Sequence, residues 1–141
     1  MPSESLLQQY LASLYRIRNA DEEIVLHVGV RSPELAALQR SRGVRSSAFV
    51  TAWNPGSRPL DRAENEARDE ALRREAAAGG YETLDAQGHS PDRDWYEKSC
   101  LLLGIDRAAA LALARRYGQV AFLFMGEAAV PELVICEDEP G

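Results

Sequence analysis

The stretch Phe49-Val-Thr-Ala-Trp-Asn-Pro55 decides the fold and carries the strongest indication of a site. We predict a strand from Ser47 to Trp53 that is apolar on both alternating faces and is therefore central in its sheet. This strand ends abruptly in Asn-Pro-Gly. An indole and an amide placed where a buried strand reaches the surface cost stability unless their polar atoms find partners. The corner is therefore either a structural turn or a site.

A long helix is predicted to follow this corner. Asp61-x-x-Glu64 has the form of a capping box with Asp as the cap, and Gly79-Gly80 marks the end of the helix. The later elements are a short strand from Tyr81 to Leu84, a polar loop over 85–94, a long strand from Trp95 to Gly104, a helix capped by Asp106, and a closing hairpin of Val120 to Met125 and Glu132 to Cys136.

Three elements are predicted before the first central strand. They are a helix with apolar residues at helical spacing from Leu6 to Tyr15, a strand from Ile24 to Gly29, and a helix that begins at Ser32-Pro33. The middle, from Ser47 to Met125, then has the β-α-β-β-α-β order of ferredoxin-like proteins, in which the first and third strands are central. We predict an α+β fold: a mixed sheet covered on one face by helices, with a ferredoxin-like middle, an added N-terminal α-β-α and a C-terminal strand.

Length and charge limit the classes of partner. The 141 residues fit one domain, which we expect over residues 1–136, with 137–141 as a disordered acidic tail. A net charge of −6 argues against a general polyanion partner, because phosphate binding needs a positive surface. The one local exception is a group of arginines that forms either a solvated helix face or a nucleic-acid contact: Arg31, Arg40, Arg42 and Arg45. We expect no nucleic-acid partner.

The sequence also indicates a compartment. The segment from Met1 to Ser5 lacks the basic and apolar regions of a signal peptide, and no apolar run approaches the roughly 20 residues that span a bilayer. Cys100 and Cys136 lie in apolar runs, where a free cysteine behaves as a small hydrophobic residue. We therefore expect a cytoplasmic protein without membrane association.

Several motifs together resemble a known family. They are Tyr10-x-x-Ser13-x-Tyr15, Phe49-Val-Thr-Ala-Trp-Asn-Pro55, Glu64-Asn65, Trp95-x-Glu97-x-Ser99 and Tyr117-Gly-Gln119-x-Ala121. In this combination the chain resembles the bacterial family called domain of unknown function 3293, from about Tyr10 to Val134. The resemblance implies a compact, cytoplasmic, prokaryotic α+β protein, and it implies no activity.

Two asparagines are the first candidate site residues. Asn54 emerges at the end of the predicted central strand, and Asn65 occupies a helix position that usually holds an apolar residue packed on Leu60. Together they could line a polar pocket at a helix N-terminus, where free N–H groups favour an anion. Alternatively, both amides hold the Asn-Pro-Gly turn in place.

The other candidates lie on later strands. Trp95, Glu97 and Ser99 share one strand face, where Glu97 is a candidate general base or acid, or else an exposed residue or the partner of an arginine. Gln119 follows a helix end and either bonds the loose backbone there or closes the polar cluster. We expect the side chains of Asn54, Asn65 and at least one of Glu97 or Gln119 to meet around one concavity beside Trp53. The candidate ligand-binding residues are Trp53, Asn54, Asn65, Trp95, Glu97 and Gln119.

The sequence gives no sign of a metal site or cofactor. His27 and His89 share no ligand spacing with Asp or Cys, and no phosphate-binding glycine motif or nucleophile elbow occurs. Ser57 and Ser99 are weak nucleophile candidates. We therefore predict a binding or interaction module for a small molecule or a protein, with no cofactor. The alternative is a cofactor-free hydrolase or transferase that uses Glu97 as general base.

Overall fold

The computed structural model describes residues 2–136, so the predicted acidic tail at 137–141 lies outside the described residues. Within that range the chain forms four α-helices and seven strands. The helices are α1 (Glu4–Ala12), α2 (Pro33–Ser41), α3 (Arg62–Ala78) and α4 (Arg107–Arg116). The strands are β1 (Leu14–Asn19), β2 (Glu22–Leu26), β3 (Ser47–Val50), β4 (Glu82–His89), β5 (Tyr96–Leu103), β6 (Ala121–Met125) and β7 (Glu132–Ile135).

All seven strands belong to one sheet, in the order β2-β1-β4-β5-β3-β6-β7. The α+β class is confirmed. Strands β3 and β5, the first and third of the predicted middle unit, lie side by side between β4 and β6, as expected. All six pairings are antiparallel, so the strand directions are more uniform than in the mixed sheet that we predicted. The ferredoxin-like designation stays a prediction.

Helices cover both faces of the sheet, and the prediction of a single covered face was wrong. Side chains alternate along each strand, so Leu101 of β5 packs in one apolar cluster with Leu35 of α2. Its neighbour Leu102 packs in a second cluster with Leu72 of α3 and Leu113 of α4. The chain therefore builds two cores, one on each side of the sheet.

Local sequence signals set the helix starts. Ser3, Ser32, Asp61 and Asp106 are the N-caps, and each side-chain oxygen accepts a hydrogen bond from the backbone N–H three residues later. These bonds satisfy N–H groups that have no partner inside the helix. The helix starts predicted at Ser32, Asp61 and Asp106 are confirmed.

The predicted N-terminal α-β-α was wrong, because the chain there forms α-β-β-α. Helix α1 ends at Ala12, and Ser13 is extended, with its hydroxyl donating to the carbonyl of Gln9. Tyr15 and Ile17 then alternate into the core as part of β1, which pairs with both β2 and β4. The apolar spacing that continued the predicted helix to Tyr15 also fits this strand.

Two further boundaries differ from prediction. Strand β3 ends at Val50 rather than Trp53, because the Thr51 hydroxyl accepts a hydrogen bond from the backbone N–H of Trp53 and turns the chain. Strand β4 continues to His89 through the predicted polar loop, and its Asp85 is exposed while Ala86 is buried. The alternating polar residues there belong to an exposed strand face.

No helix within residues 2–136 combines the length and apolar character that a membrane crossing requires.

Candidate functional site

The turn after β3 is held by a pair of asparagines. Asn54 adopts a left-handed conformation with φ 50° and ψ 60°, which short polar side chains tolerate better than most. The Asn65 Oδ1 accepts from the backbone N–H of Asn54 at 2.9 Å, and the Asn65 Nδ2 donates to the Asn54 Oδ1 at 2.8 Å. The same Asn54 oxygen accepts from the backbone N–H of Leu60 at 3.1 Å. Both amides therefore fasten the turn, as the structural alternative had it.

A second set of contacts ties this turn to the end of α4. The Arg68 guanidinium donates to the carbonyls of Ala52 and Tyr117 and lies over the Tyr117 ring, 5.8 Å from its centroid. Gly118 has φ +68°, and a Cβ there would lie 3.0 Å from the Cβ of Pro55. The Asn54 turn is therefore rigidly positioned from two directions.

A cavity opens between this turn and the sheet face that carries the α2 core. We call it the Glu97 pocket. Its volume accessible to the centres of water molecules is about 30 Å³, which is enough for roughly two water molecules. Its lining consists of Tyr10, Tyr15, Phe49, Thr51, Glu97, Ser99, Gln119, Ala121, Phe122, Leu123 and Leu133.

Glu97 is the one carboxyl group in this lining, and its residue is only 6% exposed. Burial raises the pKa of Glu97 to about 8, and a hydrogen bond from the Asn54 side chain lowers it in part. Within residues 2–136, Glu97 forms no salt bridge with a cation. At neutral pH the carboxyl is therefore mostly protonated and can exchange its proton near pH 8.

Aromatic rings cover Glu97. Gly88 of β4 lies directly opposite Glu97, and a Cβ there would be 3.6 Å from the Tyr15 ring and 3.7 Å from the Trp95 ring. Tyr10 of α1 makes an edge contact with Trp95, with 6.4 Å between ring centroids. Burial raises the pKa of Tyr10 and of Tyr15, and the nearby Glu97 carboxyl raises both further.

Helix α1 borders the pocket through a small number of bonds. None of its residues is fully buried. The Tyr10 hydroxyl shares a hydrogen bond of 2.8 Å with the Ser57 hydroxyl, and the Tyr10 carbonyl accepts from the Tyr15 hydroxyl at 2.6 Å. Ser57 belongs to the Asn54 turn, so this pair joins α1 to the turn across the pocket edge.

The structure brings some of the predicted site residues together and separates others. Glu97 and Gln119 line the Glu97 pocket, and Asn54 bonds to Glu97 from its rim. Asn65 stands one layer behind Asn54. Gln119 donates both amide hydrogens to carbonyls, those of Trp53 and Tyr117, so it also holds the backbone of the helix end.

The Trp53 side chain does not line the pocket, but the Trp53 backbone bonds to two residues that do, Thr51 and Gln119. Its ring makes an edge contact with Tyr96, with centroids 5.6 Å apart, and Tyr96 neighbours Glu97 on the opposite side of β5. The indole Nε1 is buried without a hydrogen-bond acceptor among residues 2–136. The chain leaves the strand at Val50, so the alternation that predicted the direction of Trp53 no longer holds there.

The pocket also contains residues that were not predicted for it. Thr51, Tyr10 and Tyr15 lie in its wall, although the sequence treated Tyr10 and Tyr15 only as helix residues. The alternation of Tyr15 with Ile17 was the available signal for Tyr15. Tyr10 reaches the pocket only because β1 reverses the chain after α1, which no local pattern indicates.

Outside the pocket, the polar side chains of the described residues form no metal centre. Residues 2–136 contain no group of three or more His, Cys, Asp or Glu side chains placed to hold a metal ion. Among the clustered arginines, Arg42 pairs with Glu82 at 3.1 Å, while Arg31, Arg40 and Arg45 are exposed. These positions agree with a solvated surface around α2.

Comparison with known proteins places this site in a family. The model of the family described as Protein of unknown function (DUF3293) matches residues 50–122, just over half of the chain. The chain belongs to this family. The matched span contains Thr51, Asn54, Asn65, Glu97 and Gln119, whereas Tyr10 and Tyr15 lie outside it. No curated protein and no solved structure matches the chain.

Proposed function

We propose that this DUF3293 protein is a binding module that takes the polar end of a small organic molecule into the Glu97 pocket. The observation that carries the proposal is a carboxyl group, 6% exposed and without a cationic partner in the described part of the chain, that opens on a cavity. A buried carboxyl normally costs stability unless it is paired. Groups with strongly shifted pKa values in a cleft are enriched at functional sites.

The surroundings support a role in binding. Asn54 holds the carboxyl from one side, and the asparagine and Arg68 contacts fix the Asn54 turn before any ligand arrives. A preorganised site loses less freedom on binding. The two free cysteines, Cys100 and Cys136, agree with the cytoplasmic location that we propose for this activity.

The test is a titration of three probes of similar size but different head groups: n-butylammonium, butyramide and butyrate. Each is added to ¹⁵N-labelled protein at pH 7 while the backbone amide signals of Thr51, Glu97 and Ser99 are followed. We expect saturable shifts from at least one probe, with a Kd of about 1 mM, or roughly −4 kcal/mol.

Two variants serve as controls in this titration. Glu97→Gln should change which probe binds, whereas Glu70→Gln, an exposed position on α3, should leave the titration unchanged. If none of the three probes gives saturable shifts around the pocket, the binding function is contradicted.

A second candidate is a cofactor-free hydrolase or transferase in which Glu97 is the general base. A pKa of about 8 favours it, because a base works best when its pKa lies near the working pH. Ser99 donates its hydroxyl hydrogen to the Glu97 carbonyl, so in a hydrolase the attacking group would be water.

Hydrolysis of p-nitrophenyl butyrate tests this candidate. The wild-type rate should rise with a midpoint near pH 8, and Glu97→Gln should lose that rise. Equal rates for the two proteins across the pH range would rule the base role out for this reaction class.

A further inference from the structure

Three hydroxyl groups in the wall of the Glu97 pocket already have acceptors within the protein. The hydroxyls of Tyr15 and Thr51 donate to the carbonyls of Tyr10 and Lys98, each at 2.6 Å. The Ser99 hydroxyl donates to the Glu97 carbonyl at 3.2 Å. These wall groups therefore keep oxygen lone pairs for a ligand and have no hydrogens left to offer it.

The side-chain amides at the pocket also form their hydrogen bonds within the protein. Gln119 donates both hydrogens of its Nε2 to the Trp53 and Tyr117 carbonyls, at 3.1 Å and 3.2 Å. The Asn54 Oδ1 accepts from Leu60 and Asn65, and the Asn54 side chain stabilises the ionised form of Glu97, whose pKa it lowers against the effect of burial. Once Glu97 loses its proton, the pocket presents acceptors and a negative charge, and a ligand must bring donors.

The rest of the wall suits a cation of limited size. Four aromatic side chains line the pocket, and ring faces attract ammonium groups more strongly where water is excluded. They are Tyr10, Tyr15, Phe49 and Phe122. Arg68, which holds the Asn54 turn, is fixed on the Ala52 and Tyr117 carbonyls and does not line the pocket.

We propose that the Glu97 pocket binds the ammonium group of a small organic amine, which forms an ion pair with the Glu97 carboxylate. This inference rests on the binding function proposed above. With about 30 Å³ available, the pocket takes the ammonium head and the first carbons, while the remainder of the amine extends through the open mouth.

The proposal requires proton release on binding. Glu97 is about 1% ionised at pH 6 and half ionised at pH 8, whereas an alkylammonium stays charged at both. The apparent affinity scales with the ionised fraction, so it should rise roughly 50-fold between pH 6 and pH 8. The other titratable groups at the site are Tyr10 from α1 and Tyr15 from β1, which line the pocket, and Cys136 after β7, which interacts with Tyr10; burial raises the pKa of each. They keep their protons throughout this range.

The experiment titrates n-butylammonium and butyramide into the full chain at pH 6, 7 and 8, with Glu97→Gln and Glu70→Gln alongside. The expected result is ammonium binding that strengthens with pH in the wild type and in Glu70→Gln, and is at least tenfold weaker in Glu97→Gln. Butyramide that binds as tightly as n-butylammonium at pH 8, or ammonium binding that does not change with pH, would overturn the amine assignment while the pocket function stands. Absence of binding by both of these probes and by butyrate would overturn both proposals.

Discussion

Asn65 and Asn54 are joined by two hydrogen bonds that run in opposite directions between their amide and backbone groups. Asn65 is 3% exposed and lies on α3, while Asn54 ends the segment after β3. The pair therefore fixes the turn whose Asn54 side chain bonds to Glu97. Asn54 and Asn65 were predicted as ligand contacts, but in the structure they hold the turn beside the Glu97 carboxyl.

Removal of the Asn65 amide should destabilise the protein. Asn65→Ala leaves the backbone N–H of Asn54 without an acceptor and removes one of the two hydrogen bonds to the Asn54 Oδ1, so we expect a loss of about 1–3 kcal/mol in the free energy of unfolding. The matched control is Asn19→Ala, whose side chain has one long contact of 3.5 Å with Arg42 and should cost under about 0.5 kcal/mol. Urea denaturation measures both. Equal losses would contradict the supporting role.

A methyl group at Gly118 should disturb the joint between α4 and the Asn54 turn. Gly118→Ala combines a positive φ with a Cβ only 3.0 Å from Pro55, while Gly80→Ala has a positive φ and open space around it. We expect about 1 kcal/mol for Gly80→Ala and a further 1–3 kcal/mol for Gly118→Ala. The difference in thermal stability between the two variants measures the cost of the contact with Pro55. If Gly118→Ala is no less stable than Gly80→Ala, α4 and the Asn54 turn can move apart to accommodate the added methyl group.

The buried carboxyl should make stability depend on pH. Because the pKa of Glu97 rises from an ordinary 4.5 to about 8 in the fold, the folded state binds more protons than the unfolded state between these values. Glu97 therefore lowers stability as pH increases through this window. Glu97→Gln should gain about 2–4 kcal/mol over wild type between pH 5 and pH 8, measured by urea unfolding at each pH. For Glu70→Gln, the difference from wild type in the free energy of unfolding should be the same at every pH. If the difference for Glu97→Gln is also independent of pH, the Glu97 carboxyl is solvated.

Much of the fold follows from local sequence, and the site follows from it only partly. The helix starts at Ser32, Asp61 and Asp106 depend on residues three positions apart, so the sequence alone predicts them. Strand β1 pairs with β4 about 70 residues away in the chain. The short Tyr15-x-Ile17 alternation in β1 is also compatible with helical spacing. Distant pairing of this kind leaves little local trace.

The same contrast explains the candidate residues. Glu97 was predicted as a candidate acid or base on the strand face that it shares with Trp95 and Ser99, but its burial arises where β5 pairs with β4, with Tyr15 and Trp95 beside the opposite residue, Gly88. The Trp53 side chain does not line the pocket because Thr51 turns the chain before the indole. Strand alternation predicts side-chain direction only as far as the strand continues.

The measurement that tests the central claim most directly is the pH titration of the Glu97 side chain. Glutamate labelled with ¹³C at the carboxyl carbon, with the Glu97 signal assigned by its absence in Glu97→Gln, reports protonation by NMR at this one residue. The account predicts a midpoint near 8, well above the exposed glutamates. A midpoint near 4.5 would contradict the account, since Glu97 would then be an ordinary solvated carboxylate.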